Sequence, residues 1–224
     1  MIDVQAVTHR FGARAVLSDV SVRLRERRIG IVGPNGSGKS TFARLLNGLQ
    51  LPTTGRVLVD GHDTRRRGAE VRRSVGFVFQ NPDNQIVFPT VAEDLAFGMK
   101  PLGLPTEAVE QRIRNVLEHY DLGHLHDAPT HHLSGGEKQL IALAGVLVTQ
   151  PAHLVLDEPT TLLDLRNTRR VAEVIATLPQ TVILVSHDLD ILEAFDRVLV
   201  FDEGRLVVDD EPKAAVDAYI GRCA

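Results

Sequence analysis

Gly33-Pro34-Asn35-Gly36-Ser37-Gly38-Lys39-Ser40 follows the apolar run Ile29–Val32 and opens a segment of helical pattern, Lys39–Asn47. A Gly-x4-Gly-Lys-Ser run between a buried strand and a helix is the sequence form of a phosphate-binding loop. Its glycines allow the backbone to aim several N–H groups at phosphate oxygens. The helix start adds its partial positive charge. Lys39 is then expected to bridge the β- and γ-phosphates and Ser40 to offer its hydroxyl to Mg²⁺, with Thr41 closing the nucleotide-binding run 33–41. A chance match of this pattern in a chain of this size is on the order of one percent at average glycine usage.

Outward from that loop, apolar β-branched runs recur at 75–79, 154–156, 182–185 and 198–201. Runs of this kind read as strands buried on both faces, as in a parallel sheet flanked by helices. Ligands of such sheets gather at the carboxyl ends of the strands. The stretches 4–7, 20–24 and 56–59 alternate instead, as antiparallel strands do. Residues 197–208 resemble a closing hairpin, and Pro212–Ile220 a last short helix. From Pro89 to Thr149 the pattern is helical, clearest at Glu107–Tyr120 and Glu137–Val148, with Pro101, Pro105 and Pro129 as punctuation. The expected architecture is α/β: a P-loop NTPase core (RecA-like) with a mostly parallel sheet, an antiparallel β subdomain and an inserted α-helical subdomain. All 224 residues read as a single domain, with 1–80 and 150–224 forming the core and 81–149 the helical subdomain.

Three strand ends carry chemistry. The run at 154–156 ends in Asp157-Glu158, where Asp157 is expected to hold Mg²⁺ and Glu158 to polarise an attacking water. Gln80 ends the run 75–79, and His187 follows the run 182–185. A neutral amide and an imidazole at the rim of a phosphate site can each hydrogen-bond the γ-phosphate or that water. Ser40, Gln80 and Asp157 are therefore the candidate Mg²⁺ ligands, and Glu158, His187 and Gln80 the candidate catalytic residues.

Leu133-Ser134-Gly135-Gly136-Glu137, at the start of a helix and before Asp157-Glu158, completes an order of motifs that resembles the ABC-type ATPases over essentially the whole chain. The resemblance implies ATP as substrate and Mg²⁺ as cofactor. It also implies a head-to-tail homodimer, in which each ATP lies between one subunit's phosphate loop and the other's signature at 133–137. Ser134, Gly135 and Gly136 would offer a hydroxyl and free N–H groups at a helix start. By the same resemblance Phe11 would stack on adenine and Asp164 would lie in the D-loop. Two departures stand out. Leu140 and Gly145 occupy positions where many members carry arginine, and Thr161-Leu162-Leu163-Asp164-Leu165 replaces the usual small residue-Gly-Leu-Asp-Pro.

Gln80-Asn81-Pro82-Asp83-Asn84-Gln85-Ile86-Val87-Phe88, with Thr90 to Gly98, looks like the ATPases of energy-coupling factor (ECF) vitamin and metal-ion importers. That likeness implies a membrane coupling protein docking beside this segment, together with a substrate-binding membrane protein. Ile86, Val87 and Phe88 would supply an apolar anchor, and Asp83, Glu93 and Asp94 would meet arginines. The short C-terminal part resembles the dedicated biotin systems. Biotin is therefore the leading expected substrate, with cobalt or nickel as the alternative. The expected location is peripheral, on the cytoplasmic face of the cell membrane.

Composition constrains the remaining choices. A formal net charge of −4 argues against a general nucleic-acid binder. The only cysteine, Cys223, permits no internal disulfide and suits a reducing compartment. Met1–Arg10 does not resemble a signal peptide. The apolar stretch 140–148 is too short to span a bilayer, so any membrane part must come from a partner. A soluble ABC ATPase in nucleic-acid maintenance and a P-loop kinase are the competing classes. The first usually carries coiled-coil insertions or two cassettes, and the second has no use for the 133–137 signature. His119, His124, His126, His131 and His132 follow no tight ligand spacing, and they read as a polar surface. Arg65, Arg66, Arg67, Arg72 and Arg73 read as a solvated face or as partners in salt bridges.

Overall fold

The structure, a computed structural model, describes residues 1–223. In chain order it contains β1 (Ile2–Phe11), β2 (Arg14–Leu24), β3 (Arg28–Val32), α1 (Lys39–Leu46), β4 (Thr54–Val59), β5 (His62–Asp63), α2 (Gly68–Ser74) and β6 (Val75–Val78). There follow α3 (Val91–Met99), α4 (Thr106–His119), α5 (Gly135–Leu147), β7 (His153–Asp157) and α6 (Leu165–Thr177). The chain ends with β8 (Thr181–Val185), α7 (Leu189–Leu192), β9 (Arg197–Asp202), β10 (Arg205–Asp210) and α8 (Pro212–Cys223). It divides into two compact units: 1–77 with 152–158 and 179–224, and 78–151 with 159–178.

The first unit is built on a six-stranded sheet in the order β10-β9-β3-β8-β7-β6, and the division from the second unit falls inside β6. β3 lies between β8 and β9 and is parallel to both, and β7 is parallel to β8. Every residue of β3 and β7 is buried, which is why these runs are continuously apolar rather than alternating. Helix α1 packs Phe42 against Phe201 of β9, with ring centroids 4.8 Å apart.

A second sheet of this unit, β2-β1-β4-β5, is antiparallel. Its hairpin β1–β2 is much longer than the alternation at 4–7 and 20–24 suggests. The ladder is broken at Ala6 (φ 48°) and Asp19 (φ 52°), and each break shifts the side chains to the other face. Two hydroxyls take over where the ladder fails. Ser21 Oγ accepts the Ala6 N–H at 2.8 Å, and Thr8 Oγ1 accepts the Asp19 N–H at 3.1 Å.

The second unit is helical. Val91, Leu95 and Met99 of α3, Ile113 and Leu117 of α4 and Ile141 of α5 are all buried, and α3, α4 and α5 pack on one another. Leu140 is buried too, an apolar residue where the resemblance leads one to expect arginine. Capping boxes start two of these helices: Thr90 with Glu93, and Ser134 with Glu137. Such boxes satisfy N–H groups that a helix start otherwise leaves unpaired.

Two surface expectations take concrete form. The arginine run contributes helix α2, with Val71 buried and Arg67 Nε 2.8 Å from Glu70 Oε1. In the histidine-rich stretch, His126 lies 3.0 Å from Glu110 and 2.7 Å from Asp127. Among the described residues no group of three or more His, Cys, Asp or Glu is placed to hold a metal ion.

Candidate nucleotide site

The phosphate loop leaves β3 at Val32 and enters α1 at Lys39. Gly33 has φ 149°, and a Cβ there would collide with the carbonyl oxygen of Phe201. Gly38 is the N-cap of α1 with φ 100°, and a Cβ there would lie 2.8 Å from both the Val16 carbonyl and the Leu17 side chain. Both positions exclude a side chain, so the loop lies tight against β2 and β9 with its backbone turned outward. Helix α1 has no acidic residue in its first turn and no side-chain cap, which keeps its initial N–H groups available to an anion. Ser37 is buried, and Phe42 N–H returns to Gly38 O at 2.8 Å.

The Lys39 ammonium is buried and donates to the carbonyl oxygens of Gly33 at 2.8 Å and Pro34 at 2.9 Å. Burial holds its pKa below the ordinary lysine value, although the carboxylates of Glu158 and Asp157 pull the other way. Two loop carbonyls thus hold the side chain across the mouth of its own loop, with a third hydrogen left to donate.

The Ser40 hydroxyl donates to Asp157 Oδ1 at 2.8 Å, and Arg44 lies 3.5 Å from Asp157 Oδ2. Asp157 is buried, and burial raises its pKa in spite of the Ser40 hydrogen bond and the nearby Arg44 and Lys39 charges. A hydroxyl and a carboxylate converging at the phosphate loop form the hard-oxygen donor set that Mg²⁺ prefers. The donor chemistry fits that ion.

Glu158 continues the sheet through its N–H, which donates to Val185 O at 3.0 Å. Its φ of 52° lies in the left-handed region that carboxylates adopt at a cost. The turn out of the sheet aims its side chain at His187, whose Nε2 is 3.0 Å from Glu158 Oε1. His187 is itself held by a tight turn in which Ser186 Oγ accepts the Asp188 N–H at 3.0 Å. Parallel pairing explains the meeting. Val185 stands opposite both Ile31 and Asp157, so three strand ends open onto one edge of the sheet.

The same unit therefore brings together Gly33, Pro34, Asn35, Gly36, Ser37, Gly38, Lys39, Ser40 and Thr41 with Asp157, Glu158 and His187. Phe11, also in this unit, ends β1 beside the hairpin turn and is 53% exposed, as a stacking platform must be. Its ring meets buried His9 edge to face at 4.8 Å.

Gln80, the signature and Asp164 belong to the other unit. Ser134 is the N-cap of α5, and its hydroxyl and N–H both donate to Glu137 Oε2, at 2.7 and 2.8 Å. Those bonds hold the Glu137 pKa down. Asp164 is the N-cap of α6 and accepts the Asn167 N–H at 2.8 Å. Both helix starts line a recess of about 880 Å³, with Asn167 and Arg170 also in its wall. Sequence reasoning passed over Asn167. Its one local signal is its place three residues after an N-capping Asp.

The segment after Gln80 is more occupied internally than its sequence suggests. Asp83 receives Lys138 Nζ at 2.7 Å, Glu93 closes its capping box, and Asp94 Oδ1 accepts the N–H groups of Val87 and Phe88 at 2.8 and 3.1 Å. Apolar side chains are exposed here as well. Val87 is 66% exposed and Phe97 46%, and Phe97 stacks on Phe88 with centroids 4.7 Å apart.

A phosphate loop on a parallel sheet, with two carboxylates and an imidazole at the neighbouring strand ends, defines a P-loop nucleotide hydrolase. A sequence profile described as ABC transporter matches residues 17–161. A Deinococcus radiodurans protein whose name says ABC transporter ATP-binding, with no substrate, is 62% identical over 98% of this chain and 97% of its own. A Rhizobium etli protein named biotin transport ATP-binding protein BioM is 49% identical, covering 93% of both chains. The energy-coupling factor transporter ATP-binding protein EcfA1 of Halalkalibacterium halodurans is 41% identical over 93% of this chain and 78% of its own. Among solved structures, cbiO1 of Clostridium perfringens, part of the cbiONQ transporter complex, superposes with a TM-score of 0.85 at 34% identity. It covers 99% of this chain and 92% of its own. A dimeric ATP-binding cassette in a post-hydrolysis state with ADP and Pi reaches 0.83 at 27% identity, covering 95% of this chain and 99% of its own. The chain belongs to the ABC transporter ATP-binding family, whose members hydrolyse ATP to drive transport.

Proposed function

We propose that this chain is the ATPase of an ECF-type importer, that both units act as one ATP-binding domain, and that biotin is the transported substrate. The observation that carries the ATPase assignment is the Glu158–His187 pair beside Ser40–Asp157. Lys39 and the amides at the start of α1 bind the phosphates and orient the γ-phosphate. Ser40 and Asp157 would hold Mg²⁺, with Gln80 as a third candidate ligand. When bound, that ion supplies positive charge to the β- and γ-phosphate oxygens. Glu158 accepts a hydrogen bond from the attacking water and draws its proton, while His187 holds the carboxylate in position at the rim of the γ-phosphate region. The product side is ADP and phosphate.

The dimeric relative supports a homodimer in which the signature of one copy, 133–137, closes over ATP held by the other. Closure requires the γ-phosphate, so the cycle of binding and hydrolysis becomes a cycle of closing and opening. The exposed Val87–Phe97 patch is the docking surface for a membrane coupling protein, and the chain works on the cytoplasmic face of the membrane. No helix among the described residues is long and apolar enough to cross a bilayer, so the substrate path lies in partners. The biotin relative covers the chain nearly end to end, which favours biotin. A Syntrophus aciditrophicus relative named cobalt import ATP-binding protein CbiO, 44% identical over 89% of this chain, favours cobalt as the second reading. Coexpression with the neighbouring membrane genes, followed by uptake of labelled biotin or of cobalt, separates the two. ATP-dependent uptake of neither would overturn the importer assignment.

A further inference from the structure

We infer that Asn167 is a positioning residue that ties the D-loop cap to the signature helix within one chain. Gly136 is buried in the first turn of α5. A Cβ built on it would collide with Oδ1 and Cγ of Asn167 and lie 2.8 Å from Nδ2. Asn167 in turn is held twice by Asp164. Its backbone N–H donates to Oδ1 at 2.8 Å, and its Nδ2 donates to Oδ2 at 3.1 Å. Because a carboxylate only accepts, that second bond turns the amide nitrogen to Asp164 and leaves the amide oxygen against Gly136.

The consequence concerns the amides that the dimer reading assigns to ATP. The Ser134–Glu137 box occupies the N–H groups of Ser134 and Glu137. Helix geometry leaves those of Gly135 and Gly136 without partners inside α5. Asn167 presses on the backbone that carries them, and Asp164 fixes Asn167. A shift of the D-loop is therefore passed to the signature amides through one side chain, in contact on both sides. Glycine at 136 is required by this contact. This inference rests on the sandwich-dimer reading of the signature.

The test is a double-mutant cycle in the full chain, reading kcat, ATP-driven dimerisation in a Glu158→Gln background, and nucleotide affinity of the single subunit. Gly136→Ala is expected to lower kcat at least tenfold. Asn167→Ala should lower kcat several-fold and weaken dimerisation, with subunit nucleotide affinity unchanged. In the Asn167→Ala background the Gly136→Ala change should cost less than twofold, because the clash is gone. Asn167→Asp keeps the size but sets two carboxylates together, and it should weaken dimerisation as Ala does. If Gly136→Ala is equally harmful in both backgrounds, or if Asn167→Ala and Asn167→Asp dimerise like the parent, the inference is wrong. Ser134→Arg distinguishes the two levels. Normal dimerisation and hydrolysis in that variant would sink the sandwich reading itself, whereas its loss with an additive cycle would sink only the role of Asn167.

Discussion

His187 Nε2 lies 3.0 Å from Glu158 Oε1, across the ends of two adjacent parallel strands. The carboxylate therefore reaches the phosphate edge already oriented, and its oriented charge is what Gln would remove. Glu158→Gln is expected to cut ATP hydrolysis about 10²–10⁴-fold, the usual contribution of a general base. ATP binding persists, and an ATP-bound dimer accumulates on size-exclusion chromatography. Parent-level turnover would mean that another group activates the water.

Asp157 gives a prediction in which stability and activity diverge. Burial raises its pKa, so the fold favours the protonated acid, and ionisation costs stability once pH rises through the folded value. At neutral pH Asp157→Asn removes that cost while keeping an oxygen for the Ser40 hydroxyl. Its thermal midpoint should exceed the parent's at pH 7, and the gap should narrow as pH falls through the folded pKa of Asp157. Hydrolysis in Mg²⁺ should collapse. A lower midpoint at pH 7 would show that the Arg44 and Lys39 contacts outweigh desolvation.

The carboxylate of Glu137 has the opposite sign. Hydrogen bonds from Ser134 lower its pKa, so its contribution is present above the unfolded value, about 4.3, and is lost as pH falls through the folded one. Glu137→Ala should destabilise the start of α5 by about 1 kcal/mol, the typical worth of a cap. The deficit should shrink in acid. Amide exchange at 134–138 would read it locally, and unchanged protection there would contradict the role of the box.

Partner docking is best tested on the apolar patch. Asp83 is paired with Lys138 and Asp94 caps the 87–88 backbone, so charge reversal at either disturbs the unit itself. Val87→Asp and Phe97→Asp change side chains that are 66% and 46% exposed. Each should weaken copurification of the membrane partner about tenfold or more, as loss of an interface anchor does, while leaving the ATP affinity of the subunit unaltered. Intact complex in both variants would move the docking surface elsewhere.

Much of the fold was legible because it is written locally. The five apolar runs all became strands, since a strand buried on both faces must be apolar throughout, and Gly38-Lys39-Ser40 signalled its strand-to-helix turn directly. The long β1–β2 hairpin was legible only in part. Irregularities at Ala6 and Asp19 reverse the alternation, and no single period runs through them. Helix α2 was hidden within an arginine run whose single buried residue is Val71.

By itself, the sequence determined which groups could handle ATP, because the phosphate loop, the Asp157-Glu158 strand end and the 133–137 signature are each encoded within a few neighbouring residues. Only the tertiary structure decided which of them meet. Strand order sets β7 beside β8 and so delivers His187 to Glu158, and the packing of α6 on α5 sets Asn167 against Gly136. The physical reason is one of range. Backbone propensity and capping act over about one turn of chain, whereas contacts between distant segments are fixed by how buried faces pack, which no local pattern records.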